Sequence, residues 1–318
     1  MTDVSRIRLG ISSCLLGEPV RYDGQHKLDR YLRDTLGSYF EYVPVCPEVE
    51  CGLSVPRESM RLAGDPLCPR LVTSRSGRDL TERMVSWAES RCRELQSAGL
   101  CGFIFKSGSP SSGMSRVRVY DEKGMPRKVG TGIFARIFMS HFPLLPVEEE
   151  GRLHDMVLRE NFIERIFAQR RWRDVLRSER RAGSLVGFHS ANKLLIMSHS
   201  PSLYRELGRL VAGSGRIPLD ELFSRYERGF LRALSLRTTR RKHVNVLQHI
   251  MGYFKRDLDS DEKAELGGLI ESYRLGNSTL VVPLTLLNHY VRKYGTDYLK
   301  SQTYLSPHPA ELQLRNHA

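Results

Sequence analysis

The sequence predicts an α/β domain on a largely parallel, Rossmann-like sheet, followed by an all-α helical-bundle domain. Three observations carry this expectation. Short apolar runs alternate with amphipathic stretches up to about residue 150, and from Gly151 onward the periodicity is helical alone. All six cysteines (Cys14, Cys46, Cys51, Cys68, Cys92 and Cys101) lie within the first 101 residues, so the two halves differ in chemistry as well as in texture. Strands alternating with helices imply parallel pairing through crossover connections, and consecutive helices with short breaks imply a bundle. The expected organisation is residues 1–148 as the α/β domain, 149–182 as a helical connector and 183–318 as the helical domain.

In chain order, Ile7 to Ser12 reads as a strand and Tyr42 to Val45 as a second. From Asp79 to Ser97, Met84, Trp87, Ala88, Cys92 and Leu95 recur at helical spacing, and Gly99 stops the helix before the strand Phe103–Phe105. Val117 to Tyr120 is a strand ending in the turn Asp121-Glu122-Lys123-Gly124, and a helix covers Thr131 to Ser140. Arg152 to Arg181 is helical. Six further helices follow: Leu185–Ser198, Leu203–Val211, Leu219–Leu236, His243–Arg256, Asp261–Leu275 and Pro283–Tyr294, separated mainly by Gly, Pro and Ser.

Composition narrows the function classes. The 318 residues are 40% hydrophobic and 27% charged, which are globular values and exclude a disordered or collagen-like polymer. No apolar run approaches the roughly 20 residues needed to cross a bilayer, and Met1 to Gly10 holds no apolar signal core. A cytoplasmic protein with reduced cysteines is expected, in which thiols pack, bind metal or react rather than form disulfides. The net charge of +13 is unevenly shared: residues 1–150 carry 21 basic and 19 acidic side chains, residues 151–318 carry 28 and 17. The excess sits in Arg170–Arg173 with Arg177, Arg180 and Arg181, and in Arg237 to Lys242. Such runs are either a solvated helix face or a surface for a polyanion.

Three loops leave expected strands at their C-terminal ends, where open α/β sheets place ligands. They are Ser13-Cys14-Leu15-Leu16-Gly17 continuing to Val20-Arg21-Tyr22-Asp23-Gly24, then Cys46-Pro47-Glu48-Val49-Glu50-Cys51-Gly52-Leu53 with Pro56-Arg57, and Lys106-Ser107-Gly108-Ser109-Pro110-Ser111-Ser112-Gly113. Soft thiolates on loops suit zinc or iron-sulfur ligation. Zinc sites usually carry a close CxxC pair, which this sequence lacks; single cysteines on separate loops point, on spacing alone weakly, to an iron-sulfur site assembled by the fold.

In order and spacing these loops resemble the thiouracil desulfurase family over about the first 145 residues. The remainder, with F-H-S-A-N-K, K-H-V-N-V-L-Q-H-I-M-G-Y-F-K and the ending Y-L-S-P-H-P-A-E-L, is similar to the YbgA-like helical domain often fused to that module. The first resemblance implies a 4Fe-4S cluster held by three cysteines, with one iron open to the substrate's sulfur, and a non-redox conversion of C=S to C=O in thiouracil or a thiolated uridine nucleotide. It implies Cys14 and Cys46 as cluster ligands, Glu48 for proton transfer and Ser109 as an active-site serine. Arg21 and Lys106 become candidates for a substrate phosphate.

The third cluster ligand belongs in the position of Ser112, where this sequence departs from the family. A serine oxygen is harder and far less acidic than a thiolate. Four readings stay open: a Cys-to-Ser change in an otherwise intact enzyme, a serine-ligated cluster, Cys51 as a substitute ligand, or a module that has lost its cluster. The alternative function is then an impaired module whose basic helical half binds nucleic acid.

Other residues have plainer roles. Cys92 on an apolar helix stripe and Cys101 before a buried strand read as core, and Cys68 as a loop residue. His189 and Lys193, four apart, share a helix face, whereas His243 and His249, six apart, do not. His308 between two prolines reads as an extended tail packing back on the bundle.

Overall fold

A computed structural model describes residues 6–178, 180–295 and 297–316, so the first five residues of the stretch read for a signal core lie outside the described residues. The elements are β1 (Ile7–Ser12), β2 (Phe40–Val45), α1 (Pro47–Glu50), β3 (Met60–Ala63), β4 (Arg70–Thr73), α2 (Thr81–Ser97), β5 (Phe103–Phe105), β6 (Val117–Tyr120), β7 (Pro126–Gly130), α3 (Ile133–His141) and β8 (Val147–Glu149). The helices α4 (Met156–Arg177), α5 (Ala182–His199), α6 (Pro201–Ala212), α7 (Leu219–Ser235), α8 (Arg240–Met251), α9 (Ser260–Leu275), α10 (Val281–Lys293) and α11 (Asp297–Lys300) follow. The chain divides into two compact units, Met1–Asp155 and Met156–Ala318.

In the first unit, β2, β1, β5 and β8 form one sheet in that order, every pair parallel. The chain runs outward from β1 to β2 and later returns to β5 on the other side of β1. This reversal makes the β1/β5 boundary the topological switch point at which open sheets bind ligands. β1 and β5 approach closely because Gly10 has no side chain: a Cβ there would stand 2.2 Å from the Phe103 ring. Phe103, Phe105, Phe134 and Phe138 interlock beneath them with ring centroids 4.4–6.1 Å apart, and Cys92 is buried in the same core.

Val117–Tyr120, read from the sequence as a strand, is β6 of a second sheet, β4-β3-β6-β7. There β3 pairs parallel with β6, while β4 and β7 add antiparallel edges. Its core is separate and consists of Leu62, Leu71, Leu80, Met84, Val117, Val119 and Ile133. β3 and β4 have only four residues each and lie between glycine, proline and charged positions, which leaves too short an alternation to read from sequence.

The second unit is helical. α4 lies in it, with Phe162, Ile163, Ile166 and Trp172 buried, and packs on α5 and α7. Trp172 sits among Phe188, Phe223, Tyr226 and Phe230 at 5.2–6.4 Å. The arginine run expected along this helix is therefore not one solvated face. Trp172 and Arg171 turn inward, Arg171 donating to the Pro307 carbonyl at 2.8 Å, while Arg170 pairs outside with Asp174. Helix starts are set by local caps: Ser200 with Pro201 before α6, Thr239 before α8, and an Asp259/Glu262 capping box before α9. No helix among the described residues is long and apolar enough to cross a membrane.

Candidate active site

The three loops meet at the C-terminal ends of β1, β2 and β5 around a cavity of about 280 Å³. All seven residues singled out from the sequence line it: Cys14, Arg21, Cys46, Glu48, Lys106, Ser109 and Ser112. That volume sits near the lower end for small-ligand pockets.

Cys14 lies in a tight turn after β1, whose geometry is fixed when its carbonyl accepts from the amides of Gly17 and Lys27 at 3.4 and 2.9 Å. Cys46 ends β2 and starts α1; its amide donates to Glu50 Oε1 at 2.8 Å. Burial pushes both thiols up to about 11; the Lys106 charge works against this at Cys14, where the nearby Cys46 thiol adds to it.

Glu48 is held from two sides. Arg57 forms an ion pair with Oε2, donating through Nε at 3.1 Å and through Nη2, while the Ser111 hydroxyl donates to Oε1 at 2.8 Å. Arg57 also donates to the Val20 carbonyl at 2.8 Å and to the Ser54 carbonyl at 3.1 Å, joining the first two loops around the carboxylate. Ser109 stands behind Ser111, hydroxyl to hydroxyl at 3.0 Å, and accepts from the Ser112 amide at 3.1 Å. The third loop is tied down by the start of α3, where the Ile133 amide donates to the Pro110 carbonyl at 3.2 Å and those of Phe134 and Ala135 to the Ser111 carbonyl at 2.9 and 3.2 Å. Gly132 makes this approach possible, because a Cβ there would lie 2.5 Å from that carbonyl oxygen.

Two acidic residues were not singled out as site residues in the sequence. Glu149 accepts from the amides of Met114 and Ser115 at 2.7 and 3.3 Å, and Glu150 accepts from the Ser107 amide at 2.6 Å while pairing with Lys106 Nζ. Their signal was Glu148-Glu149-Glu150, three carboxylates at the end of an apolar segment. Lys106 thus reaches the cavity wall with its charge matched by Glu150. Arg21 pairs loosely with Asp23 at 3.5 Å and lies over the Tyr22 ring at 5.5 Å.

Cys51 does not line the cavity. Its thiol donates to the Glu48 carbonyl at 3.3 Å and packs against the core of the second sheet, so the backbone of α1 stands between it and the site. Cys92 and Cys101 are buried and Cys68 is exposed, as their sequence contexts imply. Among the described residues, no three His, Cys, Asp or Glu side chains gather as a metal site. Besides Glu48 and several hydroxyls, the cavity wall carries two thiols, Cys14 and Cys46, and the Ser112 hydroxyl, which makes no hydrogen bond to another described residue. Two soft sulfurs beside one oxygen fit an iron-sulfur cluster, with the oxygen as the weakest of the three holds.

The 2-thiouracil desulfurase family profile matches residues 9–150, and a second profile, described as a protein of unknown function (DUF1722), matches residues 193–309. The N-terminal part belongs to the 2-thiouracil desulfurase family. The helical part belongs to the DUF1722, YbgA-like family. The chain is 37% identical to the uncharacterized protein YbgA of Escherichia coli (strain K12) over 135 residues, 42% of this chain and 80% of that protein. It is 31% identical to the uncharacterized protein YbbK of Bacillus subtilis (strain 168) over 134 residues, 40% of this chain and 86% of that protein. Among solved structures it is similar to a 4Fe-4S-dependent thiouracil desulfidase, TudS, at 33% identity and a TM-score of 0.39, covering 47% of this chain and 95% of that one. The desulfurase-family match spans β1 to β8 and includes every cavity residue named above.

Proposed function

We propose that the α/β unit is an iron-sulfur-dependent desulfurase that converts the thiocarbonyl of a thiolated uracil to a carbonyl and releases sulfide. The observation that carries this reading is the convergence of Cys14, Cys46, Ser112 and Glu48 on one cavity at the β1/β5 switch point. Cys14 and Cys46 would hold a 4Fe-4S cluster, with Ser112 at the third position. When bound, the cluster supplies a Lewis-acidic iron that takes up sulfur and polarises the C=S bond.

The remaining work falls to the protein's own groups. Glu48 Oε1 takes a proton from the water that adds to the thiocarbonyl carbon, and the protons that leave accompany sulfide, so C=S and water become C=O and hydrogen sulfide with no net electron transfer. Arg57 and Ser111 fix the carboxylate so that Oε1 faces the cavity. Ser109 keeps Ser111 in place and orders the backbone around Ser112. Lys106 is neutralised by Glu150 and Arg57 by Glu48, so Arg21, loosely paired with Asp23, and Lys27 are the lining cations that can meet a phosphate on a nucleotide substrate.

The test is iron and acid-labile sulfide per chain after anaerobic reconstitution, with sulfide release from 4-thiouracil measured on the same sample. Cluster binding with sulfide release supports the reading. If neither the wild type nor Ser112→Cys binds iron, the assignment fails.

A further inference from the structure

The loop that brings Ser109, Ser111 and Ser112 to the cavity is one segment, residues 106–115, and both of its ends are fastened to the end of β8. β8 runs parallel to β5 with Glu149 opposite Phe105, the last strand residue before the loop, and the Glu150 amide donates to the Phe105 carbonyl at 3.2 Å. Two consecutive carboxylates therefore stand where the loop departs.

They take opposite ends of it. Glu150 receives the start: Oε2 accepts from the Ser107 amide at 2.6 Å, and Oε1 accepts from the Ser107 hydroxyl at 2.7 Å and from the Lys106 ammonium. Lys106 Nζ also donates to the Ser107 carbonyl at 2.9 Å and to its hydroxyl at 3.1 Å, so all three of its protons are placed. Glu149 is buried and receives the far end, where its Oε1 alone accepts from the amides of Met114 and Ser115 at 2.7 and 3.3 Å. Beyond them Arg116 takes a φ of 55° and the chain leaves for β6 in the second sheet. The Ser112 hydroxyl has no hydrogen bond of its own to another described residue, so its place on the cavity wall is set by the backbone on either side of it. On the side toward β6 that backbone is held by one oxygen of Glu149.

We propose that Glu149 and Glu150 are positioning residues with divided work: Glu150 sets the Lys106 end of the serine loop, and Glu149 sets the end that carries Ser112, the third ligand position. The desulfurase reading enters only through what Ser112 holds, and the fastening itself belongs to the chain without iron. What the two amides need is an oxygen at that spot, which a neutral carboxamide of the same length supplies as well as a carboxylate does.

The test is amide hydrogen exchange of the full chain before reconstitution, followed by iron affinity after anaerobic reconstitution, read by competition with a chelator. Glu149→Ala should exchange at least about tenfold faster across residues 113–117, with β1 and β5 unchanged, and should hold iron about tenfold more weakly. Glu149→Gln, whose side-chain oxygen can accept from both amides, should stay within about twofold of wild type in both readouts. Glu149→Asp keeps the charge but falls one carbon short, so it should behave as the alanine variant does; the Gln and Asp pair decides the matter if Glu149→Ala does not fold. Glu150→Ala should speed exchange at residues 106–108 and leave 113–117 protected. Wild-type exchange at 113–117 in Glu149→Ala, or iron held equally by Glu149→Asp and Glu149→Gln, overturns the proposal. Faster exchange spread evenly over both sheets overturns it too, since Glu149 would then support the fold at large. If the wild type binds no iron, the desulfurase reading fails, and the exchange rates still decide whether the two carboxylates position the loop.

Discussion

Ser112 puts an oxygen where its two companions are sulfurs, and the consequence is testable in iron content rather than in turnover alone. Thiolate is the softer and better iron ligand, so Ser112→Cys should retain more iron per chain through gel filtration with a chelator, and Ser112→Ala less than wild type. Equal retention by wild type and Ser112→Ala would mean that the hydroxyl holds no iron. Glu48 is defined by its partners in the same way. Removing Arg57 leaves a mostly buried carboxylate unpaired and frees the Val20 and Ser54 carbonyls, so Arg57→Ala should cost about 3 kcal/mol of stability. Glu48→Gln keeps the shape but cannot take a proton, so kcat should fall by about 10²-fold or more at unchanged iron content; a kcat within threefold of wild type would remove Glu48 from the proton path. Arg57 belongs to a motif visible in the sequence, but its role was not, because it acts through Glu48 from nine positions away.

At the scale of elements, the serine loop depends on α3. The Ser111 carbonyl caps the helix only because Gly132 leaves room, so Gly132→Ala must push the helix start and the loop apart. Such overpacking typically costs about 1–3 kcal/mol. It should lower thermal stability and iron retention together; a variant that melts like wild type with full iron would show that the loop does not need this contact. The strands that position the site were legible, since β1, β2 and β5 are apolar runs each ending at a motif. The second sheet was not: β3 and β4 are four residues long, and β7 is an exposed, charged edge whose burial pattern carries no alternation. Positions of helices in the second unit were readable from periodicity. Which arginines turn inward was not, because Arg171 is buried through a carbonyl from the far end of the chain, at Pro307.

Over the whole molecule, thiols and charge separate by unit. All six cysteines lie before residue 102, and the helical half carries most of the net charge. That half nevertheless buries ionised groups. Glu164 meets His199 and Arg315, and Arg315 also meets Glu160 at 3.4 Å. Burial alone would raise Glu164, but His199 and Arg315 outweigh it and hold the carboxyl well below the usual range. Its contribution to stability is present above pH 4.5 and lost as the pH falls below that value. Glu160 goes the other way: burial lifts it from 4.5 to about 7, more than Arg315 offsets. A carboxyl that holds its proton more tightly when folded stabilises the protein fully below 4.5 and loses that contribution as the pH rises through 7. Melting temperature should therefore decline between about pH 5 and pH 8 in wild type and decline less in Glu160→Gln, which cannot ionise but can still accept from the Arg315 amide. Parallel melting curves for the two forms across that range would show that Glu160 is not the group responsible. The decline should also be absent from the acid limb, where both forms lose stability together as Glu164 takes up its proton.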